Sequence, residues 1–186
     1  MPTPMDQRAT FRAPVLALDL ASVTGWACGE PGGRPAHGSI RFASQGASHE
    51  AIFASAFRWM NGMLLEHGPK LVVWEAPLAG FKTGSTTNNV TTILFGLPAV
   101  IGTATYLRGG YDIRKADTRD VRLHFIGCNP KRAVAKPMVM RQCRAMGWAV
   151  EDDNEADALA TWSCMCSLID PKLALAPTPL FARGRG

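Results

Sequence analysis

The sequence predicts an α/β protein: a mixed five-stranded sheet with helices on both faces. Three observations carry that expectation. Two short, nearly continuous apolar runs, VLALDL at 15–20 and LVVWEAP at 71–77, suit strands buried on both faces. Residues 28–38, CGEPGGRPAHG, are dense in turn formers and link two further extended stretches by a tight connection. From residue 48 onward, segments with helical spacing alternate with strand-like ones, an order that layers helices on a sheet.

Taken in order, residues 1–13 are polar and Pro-containing and read as a loose arm, without the apolar core of a secretory signal. Residues 15–20, 24–29 and 38–42 form an expected antiparallel meander. Residues 48–67 read as a helix, because Ile52, Phe53, Ala56, Phe57, Met60, Met63 and Leu64 recur at i, i+3, i+4 spacing and Gly68-Pro69 stops the run. The next strand closes at Pro77, which cannot donate to a central ladder. A flexible stretch at 80–87 then leads to a helix at 88–107 and a strand at 111–115. Helices at 118–126 and 133–146 follow, and a last helix at 154–169 is opened by the acidic cluster EDDNEAD. Beyond Asp170 the Pro- and Arg-rich composition predicts disorder. The organisation expected is an arm at 1–13, one domain at 14–169 and a tail at 170–186.

The totals agree with a single globular domain. The chain has 186 residues, 47% hydrophobic and 19% charged, enough for one sizeable core and too few for two. No apolar run approaches the roughly 20 residues that cross a bilayer, so no membrane association is expected. Five cysteines show no C-x-x-C pair, which fits reduced thiols in a cytoplasmic protein. His37, His49, His67 and His124 are scattered and suggest no metal-binding set. Net charge is +5, but residues 108–144 carry ten basic side chains against three acids, so the rest is slightly negative. A solvated helical surface would explain such a block; a polyanionic partner such as nucleic acid explains it better beside clustered acids.

Three acids stand where carboxylates are costly. Asp19 ends the first apolar run, Glu75 follows LVVW, and Asp157 lies among apolar residues inside the last helix. Each taken singly could pair with a base or cap a turn; two at strand ends, far apart in sequence, suggest convergence at one sheet edge. Asp152 and Glu155 have the spacing of a capping box, a role that does not account for Asp157. Hydrolysis of a phosphodiester asks for such a set. Two cations about 4 Å apart activate the attacking water and stabilise the leaving oxygen, and Mg²⁺ binds through carboxylates and phosphate.

Meander, then alternation, is the element order of the ribonuclease H-like fold. The stretches ALDLASVTGWA, VVWEAP and EADALA resemble, in order and spacing, the three acidic motifs of the RuvC-like Holliday junction resolvases. LFGLPAVIGTA is similar to that family's connecting helix, and KADTRDVRLHFIG with KRAVAKPMV to its basic segment. The resemblance spans residues 14–169 and implies a homodimeric endonuclease cutting branched DNA such as four-way junctions by paired symmetric nicks. It implies two Mg²⁺ per site, with Mn²⁺ able to substitute, in the cytoplasm of a bacterial or phage-infected cell. Asp19, Glu75, Asp153 and Asp157 would hold metal. Lys136 would approach the scissile phosphate, Lys131, Arg132 and Lys82 would hold the DNA backbone, and Phe81 would stack on an unpaired base. The family often has an aspartate three residues before the last one, where this chain has Asn154. Asp153 is favoured instead, since a spacing of four turns the carboxylate by only about 40°; Asn154 and Glu155 are the alternatives. Two other readings compete: a ribonuclease H-like binding module without cleavage, and an actin-like ATPase, for whose two lobes the chain is too short.

Overall fold

Strands β1 (Val15–Asp19), β2 (Thr24–Gly29) and β3 (Ala36–Ile40) run antiparallel in succession, with Val15 opposite Gly29 and Asp19 opposite Gly25. The chain leaves the sheet as α1 (His49–His67) and returns as β4 (Leu71–Glu75), parallel to β1. It crosses again through α2 (Asn88–Arg108) and adds β5 (Asp112–Ala116) parallel to β4. Helices α3 (Thr118–Ile126), α4 (Arg132–Ala145) and α5 (Asp153–Ile169) complete the domain. The sheet order is β3-β2-β1-β4-β5. This computed structural model describes residues 13–76 and 88–175.

Several helix ends have a local cause. Ser48 caps α1 by accepting from the Ala51 N–H at 3.3 Å, and Gly68 ends it at φ 53°, a left-handed conformation that costs glycine little. Asp117 caps α3 through the N–H groups of Arg119 and Asp120 at 2.8 and 3.3 Å. Strand β3 starts two residues earlier than expected, because Ala36 already pairs with Cys28 and the turn is used up by residue 35. Of the expected tail, residues 170–175 are described, and the rest, like residues 1–12 of the arm, lie outside the described residues. Asp170 accepts from the Lys172 N–H at 3.1 Å and caps a 3-10 turn (Pro171–Leu173), and Leu173 and Leu175 pack on the core.

Alternation along the strands splits the core into two layers. Leu16, Leu18, Val72 and Trp74 face α1 and α2, where they meet Met60, Leu64, Leu97 and Ile101. Val15, Ala17, Leu71 and Val73 face α3, α4 and α5, with Phe125, Val139, Leu159 and Trp162. By length and composition Val90–Arg108 is apolar enough to cross a membrane, against the expectation that no apolar run approaches that length. In this fold α2 turns Leu97, Ile101 and Ala104 fully inward, while Tyr106 and Leu107 are 80% and 69% exposed.

Candidate active site

The two-residue period of the strands decides where Asp19 and Glu75 go. Asp19 continues the parity of Val15 and Ala17, and Glu75 that of Leu71 and Val73, so both lie on the α5 side of the sheet. Because β1 and β4 are parallel and Leu18 pairs with Trp74, the next step along each strand sets Asp19 beside Glu75. The carboxylates therefore share one sheet end, as the sequence suggested.

α5 brings the third. Its approach depends on Gly25, the residue opposite Asp19 on β2. A methyl group there would fall 1.9 Å from the Asn154 carbonyl oxygen and 2.7 Å from the Glu155 nitrogen, so only glycine lets the first turn of α5 rest on the strand end. Asp152 caps that turn, its Oδ1 accepting from the Glu155 N–H at 2.8 Å. Glu155 reaches back, but one residue further than a capping box requires: its Oε2 accepts from the Glu151 N–H at 2.7 Å. Its Oε1 lies 2.6 Å from His37 Nδ1 on β3, and the residue is only 4% exposed. Both Glu155 oxygens are thus engaged by protein groups. On the same side, Trp162 donates its indole N–H to the Gly29 carbonyl at 3.2 Å and holds α5 to β2.

Asp153 makes an ion pair with Lys136 of α4. Glu75 Oε2 accepts from the Thr118 hydroxyl at 2.7 Å, at the start of α3. Lys136 and Arg132 lie close enough to draw down the proton affinity of both Asp19 and Asp157. Arg122 does the same for Glu75 and Asp157, from a guanidinium steadied by the Asn129 side chain and the Pro130 carbonyl. Lys131 occupies the N-cap position of α4 without a capping bond and is exposed. Phe81 and Lys82 lie outside the described residues.

Burial nevertheless wins over these cations. It is the first cause that pushes the Asp19 carboxyl up to about 7, with Asp157 and Glu75 adding repulsion. Asp157 is pushed up to about 6 by burial and then by Glu75, and Glu75 is raised by burial against the opposing Thr118 hydrogen bond. Among the described residues, no three His, Cys, Asp or Glu side chains are drawn together at ligating distance. The bonds just named show why: Glu75 is turned toward Thr118 and Asp153 toward Lys136. The donor set still fits a hard cation, since all its members are carboxylate oxygens whose shared field disfavours ionisation without a counter-charge.

Neither a family model nor a curated protein matches the sequence. Solved structures do match the fold. Thermus thermophilus RuvC in complex with a Holliday junction substrate superposes with a TM-score of 0.65 at 13% identity, over 87% of this chain and 98% of that one. A second Thermus thermophilus RuvC structure gives 0.57 at 14%, over 86% and 96%. The yeast mitochondrial Holliday junction resolvase gives 0.58 at 13%, over 88% and 80%. The fold is RuvC-like. Within that RuvC-like sheet, Asp19, Glu75 and Asp157 lie at one sheet end without closing to ligating distance. Thr118, Gly25 and the His37–Glu155 pair are not among the residues that the sequence singles out, and there Arg122 is only one charge in a basic block. Asp117-Thr118 opening a helix was the sole local hint, and it announces a cap rather than a partner for Glu75.

Proposed function

We propose that this protein is a metal-dependent endonuclease of branched DNA, a junction resolvase that works as a homodimer and makes paired symmetric nicks. The observation that carries this reading is the placement of Asp19, Glu75 and Asp157 at one sheet end, each held back from ionising by burial, with Asp157 and Glu75 repelling Asp19 and Glu75 repelling Asp157. Such a set becomes comfortable only around cations. When bound, Mg²⁺ or Mn²⁺ supplies a nucleophilic water and stabilises the departing 3′ oxygen. Asp19, Glu75, Asp157 and Asp153 would hold the ions. Lys136, paired here with Asp153, would pass to the phosphate and offset its developing charge. Arg132, Arg122 and Lys131 would hold the backbone, with Lys82 and Phe81 of the 77–87 segment contributing a charge and a stacking surface.

Apolar side chains exposed along α2, among them Val90, Tyr106 and Leu107, support a two-fold dimer, which would present two sites to a four-way junction. Five free thiols, four of them buried, support a reducing cytoplasmic setting. One observation favours the rival reading of a binding module without cleavage: Asp153 and Glu75 already have protein partners.

A four-way junction incubated with Mg²⁺ separates the two. The nuclease reading expects symmetric nicks with wild type, and intact binding without nicks from Asp19→Asn and Asp157→Asn. Wild-type protein that binds junctions but cuts nothing in Mg²⁺ or Mn²⁺ overturns it.

A further inference from the structure

On the other side of the same sheet end, between the β1–β2 turn and the first turns of α1 and α2, lies an open groove of about 230 Å³. Its position follows from topology. Strand β3 is antiparallel to β2 and so runs with β1, and Arg41 and Phe42, which follow β3, come out at the edge where Asp19 ends β1. Ser22, three residues beyond Asp19, lines the groove too. The groove and the carboxylates are thus neighbours across the rim of the sheet.

The lining has two parts. Phe42, Ile52 and Ile93 give an apolar shelf, while Arg41, Ser22 and His49 give a polar rim. Arg41 is exposed and, among the described residues, has no ion pair or hydrogen bond. Glu50, next to His49 in α1, is fully exposed and is engaged by Ser48 and by backbone at the helix start. His49 is itself stacked on Phe53, with ring centroids 6.1 Å apart and planes 18° from parallel. An unneutralised guanidinium beside an apolar lining suits a phosphate joined to an aromatic base. The volume falls below the roughly 300–1,000 Å³ of sites that enclose a whole small ligand, which favours one unit of a longer strand over a free nucleotide.

We propose that this groove is a second DNA contact, taking one unstacked nucleotide of the strand that passes over the sheet rim. Arg41 holds its phosphate, and the base lies on Phe42, Ile52 and Ile93. The inference rests on the branched-DNA reading above. It adds a specific nucleotide position, set off from the cut by the width of the rim, at which the enzyme needs an unpaired base.

The test is equilibrium binding without divalent metal, using a series of four-way junctions that each carry a single abasic nucleotide at successive positions. Wild type should lose about five- to tenfold in affinity at one position and little elsewhere. Arg41→Gln, and Ala47→Trp which fills the groove from its loop, should weaken the intact junction by a similar factor and flatten the profile. Arg58→Gln removes one charge from the outside of α1 and should leave the profile's shape alone. Melting curves check that each variant is folded, and Arg41→Gln decides if Ala47→Trp is not. A flat wild-type profile, or an Arg41→Gln profile that keeps its dip, overturns the groove. Cleavage is scored separately in Mg²⁺. Wild type that shows the dip but does not cut sinks the nuclease reading alone, and wild type that cuts with a flat profile sinks the groove alone. Failure to bind junctions overturns both.

Discussion

The start of α5 sends acid into two regions that treat it differently. Toward β3, Glu155 is almost wholly buried, yet both its oxygens are satisfied, by His37 at 2.6 Å and the Glu151 N–H at 2.7 Å. Toward β1 and β4, Asp157 sits two residues further along the same helix and faces Glu75 and Asp19, with Lys136, Arg122 and Arg132 only partly offsetting them. A buried charge that is fully paired reads as architecture; buried charges left in each other's company read as a site waiting for a cation. Both regions are acidic, and partners rather than composition tell them apart.

The strongest way to break that contrast is to neutralise one acid in each region. Asp157→Asn should cost a hundredfold or more in nicking of four-way junctions while raising the melting temperature of metal-free protein, because it removes repulsion. Glu155→Ala should instead lower stability by about 1–3 kcal/mol in urea titrations, since it strands the His37 ring and the Glu151 N–H. If both substitutions reduce stability equally, the two regions do not differ as argued.

A finer probe is Gly25→Ala. The added methyl overlaps the Asn154 carbonyl, so α5 must move from the strand end that Asp19 occupies. Nicking should fall by about ten- to a hundredfold, with a smaller effect on junction binding. Unchanged cleavage would mean that the height of α5 does not set the site.

Proton linkage sharpens the comparison next. Asp19 and Asp157 bind protons more tightly when folded, up to about 7 and about 6, than as ordinary aspartates at 3.8. Their effect on stability is therefore most favourable below about pH 4, where both states are protonated, and declines as pH rises through 6 to 7. Metal-free wild type should lose more melting temperature between pH 4.5 and 7.5 than Asp157→Asn does, and Mg²⁺ at pH 7.5 should restore it. Parallel curves would count against the buried-carboxylate account.

The smallest effect is expected at Thr118→Val. It removes the one hydrogen bond that lowers the proton affinity of Glu75, so the acid limb of the pH–rate profile should shift upward by a fraction of a unit, with stability little changed. No shift would imply that Glu75 turns away from Thr118 in the working enzyme.

Much of this was legible in the chain because it depends on periodicity. VLALDL and LVVWE can only be strands in a covered sheet, and their two-residue period alone puts Asp19 and Glu75 on a common face once the register is known. Asp157 could be singled out because an aspartate within an apolar helical stretch has no local excuse. Glu155 shows the limit. Its spacing from Asp152 reads as a capping box, yet its partner is a histidine 118 residues away, which no local pattern announces. The contacts of Leu173 and Leu175 with the core are likewise unannounced by any local pattern.

The sequence by itself determined the strands and helices, the two-layer core and three of the acids, because these follow from the spacing of apolar and charged residues along the chain. Tertiary structure alone decided which acids remain without partners, that Gly25 admits α5, that Thr118 and Arg122 stand by Glu75, and that Arg41 overlooks an open groove. Those outcomes depend on distances between segments remote in sequence, and only the register of the sheet and the seating of α5 set such distances.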